Sequence, residues 1–265
     1  MSRPLITLTS DFGLADGYVG TMKGVILAIC PEAILVDISH DVRPQALRQG
    51  AYLLSRAVPF FAPGTTHLAV VDPGVGGQRR PLLVQTARAT YIGPDNGILS
   101  LALDWDQPLR AIHLTNPAYW LPAVSHTFHG RDIFAPVAAH LAAGVDPANM
   151  GNPAPVERLV RLPTAGPASQ PDGSLLGEVL HIDRFGNVVT SFRPSDLPDL
   201  LTIEIAGARI DRLSSTFGDG EIGARVAYVG SGGYLEIAVR DGSAAEELGV
   251  GIGAPVRIES QAWPP

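Results

Sequence analysis

Between residues 5 and 143, short β-branched runs alternate with stretches whose apolar residues recur at helical spacing. That alternation constrains the fold more than any other feature. Runs at 5–9, 33–38 and 66–71 read as buried strands. Residues 16–30 carry Val19, Met22, Val25, Ile26 and Ile29 at helical spacing and stop before Pro31, and 44–57 reads as a second helix with a proline near its start. Further strands are expected at 82–86, 90–92 and 111–114, and a short, very apolar helix at 132–143 ends at Gly144. This order implies a largely parallel central sheet covered on both faces. From residue 152 the character changes: a Pro-, Ala- and Gly-rich stretch leads to short strand signals at 175–182, 188–192, 201–205, 225–229, 234–239 and 255–258. No long helix interrupts them, which fits a small barrel or sandwich. The expectation is an α/β N-terminal domain over 1–160, a linker over 161–173 and a small all-β, barrel-like C-terminal domain over 174–265.

Composition narrows the class. With 46% hydrophobic and 17% charged residues, the 265-residue chain is globular, not disordered. A formal charge of −7 and the lack of any long basic run argue against a nucleic-acid surface. The single cysteine, Cys30, lies in an apolar stretch and reads as core; it excludes an internal disulfide and fits a reducing, cytoplasmic setting. The first ten residues read as a strand and not as a signal peptide, and no apolar run reaches membrane-spanning length, so a soluble protein is expected.

The segment Leu68-Ala-Val-Val-Asp-Pro-Gly-Val-Gly-Gly-Gln-Arg-Arg80 carries the strongest chemical signal. A buried run ends in Asp72, and a glycine-rich loop then delivers Arg79 and Arg80. Ligands in open α/β sheets bind outside the carboxyl ends of strands; a surface turn with a solvated ion pair is the plainer alternative. Asp11, in Thr9-Ser-Asp-Phe-Gly13, occupies the same kind of position and suits a sugar diol, or a turn. Thr127-Phe-His-Gly-Arg-Asp132 places His129 at a helix entrance, with Asp132 as its N-cap and His126 as the competing histidine. In Ile182-Asp-Arg-Phe-Gly-Asn187, Asn187 reads either as part of a tight turn or as an amide suited to a purine edge. Around Ser231, Gly230-Ser-Gly-Gly-Tyr234 offers backbone amides for a carboxylate. No cysteine pair, helical His-x-x-x-His, Walker loop or nucleophile elbow is present, so no metal or cofactor is expected.

Taken in order, these five segments resemble the S-adenosyl-L-methionine (SAM) hydroxide adenosyltransferases, adenosine-forming SAM hydrolases related to fluorinase and chlorinase. The resemblance implies an α/β domain followed by a β-barrel domain. It also implies a homotrimer with SAM bound between one subunit's first domain and its neighbour's second. It makes Asp72, Arg79 and His129 the catalytic set, Asp11 the ribose ligand, Asp183 the methionine-ammonium ligand and Asn187 the adenine reader. Gly130, Phe217, Ser231, Glu236 and Val239 line the same substrate site. Asp72 stands where the halogenases carry tyrosine, whereas Gly130 is shared with the chlorinase branch. Which of Asp72 and His129 takes the proton stays open. A SAM-dependent halogenase and a non-catalytic SAM or adenosine sensor are the rivals, and a phosphohydrolase built on Asp11, Asp41 and Asp72 is a more distant one.

Overall fold

The computed structural model describes residues 3–163 and 166–260. Residues 164–165 of the expected linker and 261–265 of the expected second domain lie outside the described residues. Two compact units result, one ending at Leu162 and the other beginning at Pro163.

The first unit is built on seven strands: β1 (Leu5–Ser10), β2 (Ile34–Ser39), β3 (Thr65–Val70), β4 (Pro81–Thr86), β5 (Ala89–Pro94), β6 (Pro108–Leu114) and β7 (Gly151–Ala154). Among the described residues, the α-helices that accompany them are α1 (Tyr18–Ile29), α2 (Leu47–Ala57), α3 (Ser100–Trp105) and α4 (Ala135–Ala142). The sheet order is β2-β1-β3-β5-β4-β6-β7. The expected largely parallel sheet is instead mixed. β1, β2, β3 and β5 run parallel, while β4, β6 and β7 pair antiparallel. The reason is local: only residues 87–88 separate β4 from β5, enough for a hairpin but far too few for a crossover.

Strand alternation sorts the core onto both faces. Leu68 and Val70 pack with Met22, Ile26 and Phe134 on one side, and Ala69 and Val71 pack with Leu54, Ile98 and Leu103 on the other. Cys30 is buried in the first of these clusters. The parallel strands β2, β1 and β3 lie side by side, so the segments following their carboxyl ends converge on one edge of the sheet. Asp11 follows β1 and Asp72 lies just past β3, with Ser10 paired to Val70 between them.

The second unit contains β8 (Ala168–Ser169), β9 (Leu175–Ile182), β10 (Val188–Thr190), β11 (Leu201–Ile205), β12 (Ala208–Ile210), β13 (Arg225–Val229), β14 (Leu235–Val239), β15 (Pro255–Ser260) and the short helix α5 (Ala244–Leu248). Its described strands pair antiparallel in the order β12-β11-β15-β9-β10-β14-β13, with β8 added at β9. A bridge from Leu213 to Ala227 brings the segment after β12 back to β13 and nearly closes the barrel. Val179, Val188, Phe192, Ile203, Ile237 and Val256 fill its interior. Among the described residues, no helix is long and apolar enough to cross a membrane.

Candidate functional site

Asp72 and Arg79 meet because the loop between them folds back on itself. The Val75 N–H donates to the Asp72 carbonyl at 3.2 Å and the Gly77 N–H to the Gly74 carbonyl at 3.0 Å, giving two successive tight turns. Gly76 sits at φ 74°, and a Cβ there would overlap the carbonyl oxygen of His126. That position therefore needs glycine for its backbone angle and for the close approach of the second loop. Arg79 Nε donates to both Asp72 oxygens, at 3.1 and 2.9 Å, and Nη2 donates to Oδ2 at 2.6 Å. The pair is largely dry, with side-chain exposures of 5% for Asp72 and 9% for Arg79. The guanidinium also lies 5.4 Å from the centre of the Phe134 ring.

The same Nη2 reaches His129 Nδ1 at 2.7 Å. A guanidinium has only donors, so Nδ1 accepts, and the neutral ring carries its proton on Nε2. Burial, followed by the Arg79 charge, holds the imidazole below its ordinary pKa of 6.5 and keeps it neutral near pH 7. Asp72, Arg79 and His129 thus form one connected set. His126 contributes its backbone to the Gly76 contact, and its side chain is exposed.

The entrance of the helix differs from expectation. His129, not Asp132, holds the N-cap position, and residues Gly130–Phe134 form one π-helical turn ahead of α4. Asp132 is completely buried inside that turn. Its carboxylate accepts from the Ser125 N–H at 2.8 Å and from Arg131 Nε at 2.5 Å, tying down the loop that leads to His129. Burial alone would raise its pKa; Arg131 and the Ser125 amide outweigh that and hold it below the ordinary value. Gly130 is packed by Met22, Phe12 and Phe128, each within 3.2–3.3 Å of where a Cβ would stand. Asp11 lies in the turn after β1, where its Oδ2 accepts the Gln45 N–H at 2.8 Å.

Arg80, next in sequence to Arg79, turns to a different carboxylate. Its Nε and Nη2 donate to Asp95 Oδ2 at 2.8 and 2.5 Å, and Asp95 Oδ1 accepts the Val160 N–H at 2.8 Å.

In the second unit, Asp183, Asn187, Phe217, Ser231, Glu236 and Val239 line one pocket of about 740 Å³. Asn187 belongs to a tight turn, as one of its two readings has it. Asp183 Oδ1 accepts the Phe185 and Asn187 N–H groups, each at 2.9 Å, and Oδ2 accepts Asn187 Nδ2 at 2.8 Å. The turn thereby fixes two polar side chains at the pocket wall. Gly186, at φ 82°, lies where a Cβ would collide with Ser243. Two of the amides expected to greet a carboxylate are spent on the turn itself: the Gly230 N–H donates to the Tyr234 carbonyl and the Gly233 N–H to the Gly230 carbonyl.

Sequence reasoning missed four lining residues: Phe185, Tyr228, Asp241 and Gly242. Tyr228 faces Glu236 across the β13–β14 ladder, and burial together with that carboxylate pushes its phenol well above the ordinary value. Only the apolar-polar alternation of β13 could have marked Tyr228. Among the described residues, no three His, Cys, Asp or Glu side chains cluster as metal ligands would, including Asp11, Asp41 and Asp72.

Sequence models of the SAM hydroxide adenosyltransferase N-terminal and C-terminal domains match residues 6–151 and 177–257. The chain belongs to this family. A curated (R)-S-adenosyl-L-methionine hydrolase of Thermus thermophilus is 45% identical, across 97% of this chain and 99% of its own length. A fluorinase of Nocardia brasiliensis, more distant, is 31% identical across 97% of each chain. The crystal structure of an uncharacterized conserved protein from Thermotoga maritima superposes with a TM-score of 0.86 at 33% identity, covering 96% of this chain and 99% of that one.

Proposed function

We propose that this chain hydrolyses SAM to adenosine and L-methionine, with water attacking C5′ in line with the C5′–sulfur bond. The observation that carries the reading is the connected set of carboxylate, guanidinium and neutral imidazole at Asp72, Arg79 and His129. As the water oxygen bonds to C5′, the electron pair of the C5′–sulfur bond stays on sulfur. The leaving group is a neutral thioether and needs no acid. The water proton does need an acceptor. His129 cannot supply one at Nδ1, whose lone pair Arg79 already occupies, and its Nε2 carries the hydrogen. Asp72 is the base, since a carboxylate retains acceptor capacity beyond its contacts with Arg79. Arg79 and the Nε2–H of His129 hold the oxygen as it gains negative character, in a pocket dry enough to strengthen both interactions.

Substrate binding divides along the chain. Asp11 holds the ribose hydroxyls beside Gly130, Asp183 the methionine ammonium and Asn187 the adenine edge. Phe217 packs on the base, and Ser231, Glu236 and Val239 complete the wall. The active assembly is a homotrimer in which one subunit's first unit and its neighbour's second unit share the substrate, in the cytoplasm and without a metal or cofactor. The relatives' name specifies the R epimer at sulfur, and the same epimer is the substrate here.

Turnover of each SAM epimer in ¹⁸O-water tests the reading. Adenosine labelled at its 5′-hydroxyl, formed from the R epimer and unaffected by chelator, is the expected result. Unlabelled adenosine, no adenosine, or a 5′-halogenated nucleoside on adding chloride would overturn it. Light scattering of the purified protein tests the trimer.

A further inference from the structure

Beneath the Asp11 turn runs a chain of polar contacts that the proposed chemistry does not use. Ser10 Oγ lies 2.7 Å from His40 Nδ1 and accepts the Phe12 N–H at 3.4 Å. His40 Nε2 faces Asp37 Oδ1 at 3.1 Å, off the line of an ideal hydrogen bond, and Lys23 Nζ donates to Asp37 Oδ2 at 2.6 Å. Ser10 Oγ, with two lone pairs and one proton, accepts the Phe12 N–H and hydrogen-bonds His40 Nδ1, the donor there being set by the imidazole tautomer.

Serine, histidine and aspartate in contact are also the parts of a nucleophilic triad. Here the serine is 1% exposed, and its oxygen is engaged by both its own turn and the imidazole. A substrate carbon has no approach to it. The contacts lead instead to the backbone of residues 10–13. The Gly13 N–H donates to the His40 carbonyl at 2.9 Å, and five residues beyond His40 the Gln45 N–H reaches Asp11 Oδ2. Gln45 stands at φ 66°, a conformation that a non-glycine side chain holds only where its surroundings impose it. Side chain and backbone of the 40–45 loop therefore grip the Asp11 turn from both ends.

We infer that Lys23, Asp37, His40 and Ser10 form a positioning relay that fixes the Asp11 carboxylate for the ribose hydroxyls of the substrate. The inference rests on the reading of Asp11 as the ribose ligand. Its residues touch no substrate atom; they act through the turn. Ribose hydroxyls do not react, so loss of the relay should raise KM and spare kcat.

Ser10→Ala is compared with wild type on SAM and on SAM lacking both ribose hydroxyls, with thermal stability recorded alongside. On SAM the variant should lose about tenfold in kcat/KM, mostly through KM, the scale of one lost buried hydrogen bond. On the dideoxy analogue the loss should vanish, because Asp11 then has nothing to hold. Equal losses on both substrates would make Ser10 merely structural and overturn the relay. Should Ser10→Ala fail to fold, the half-exposed Asp37 supplies the second arm. Asp37→Asn keeps an acceptor for His40 and should retain activity, while Asp37→Ala should reproduce the substrate-selective loss. Identical behaviour of those two variants would also overturn the relay. A wild type inert to SAM would overturn the functional reading and, with it, the relay's purpose.

Discussion

The Asp72–Arg79–His129 centre and the pocket at 183–239 place their side chains by different means. In the first, side chains hold side chains: one guanidinium bridges a carboxylate and an imidazole in a nearly dry setting. In the second, the backbone does the holding, through an Asp183-centred turn and a glycine-rich turn at 230–233. A charged network is costly to desolvate and is kept where it must meet developing charge. A turn fixes a polar group for recognition with little electrostatic commitment. The contrast predicts that damage to the first region appears in kcat, and damage to the second in KM.

The sharpest way to break that contrast is Asp72→Ala, which removes the base. Turnover should fall by about a thousandfold or more, within the range of general-base losses, while calorimetry still shows SAM binding. A variant that lost binding and kept kcat would invert the comparison.

Acid should also separate the regions. Six of the seven histidines precede residue 162, and burial drives the His67 ring down to about 4 from its ordinary 6.5. The unfolded chain takes up that proton below about pH 6.5, and the folded one only near pH 4. Stability is therefore lost as pH falls through this window, by about 3 kcal/mol from this ring alone. Hydrogen exchange should show the first unit opening ahead of the second on acidification. His67→Gln, which keeps a partner for Thr7 Oγ1, should flatten the dependence.

Arg79→Lys keeps the charge but not the fork that reaches Asp72 and His129 together, and should cost about a hundredfold in kcat. It should also free His129 Nδ1, visible as a rise in the ring's pKa by NMR. The smallest effect belongs to the pocket: Asn187→Ala should raise KM about tenfold with kcat nearly unchanged.

How much of this was legible in the sequence follows the same divide. A strand end, a glycine loop and a helix start marked Asp72, the Arg79–Arg80 pair and the His126–His129 pair as candidates, whereas the choice of Arg79 and His129 came from the family resemblance and not from spacing. The mixed sheet was not legible: residues 86–89, Thr-Ala-Arg-Ala, contain no Gly, Asn or Pro to announce a hairpin. Asp132 looked like an N-cap because the extra residue of a π-turn leaves no compositional trace. Tyr228 and Phe185 stayed hidden because their role depends on cross-strand neighbours and on which turn residues face the cavity, relations set by register.

Two consecutive arginines answer to two separate buried carboxylates, Arg79 to Asp72 and Arg80 to Asp95. The interval from Asp72 is therefore indivisible. Deleting one residue of the loop would carry Arg80 into the place of Arg79 and leave Asp95 without its counter-charge; adding one would strand Asp72 instead. Most surface loops tolerate changes in length. This one works as a fixed-length spacer, and length polymorphism at 73–78 should be selected against even where residue identity drifts.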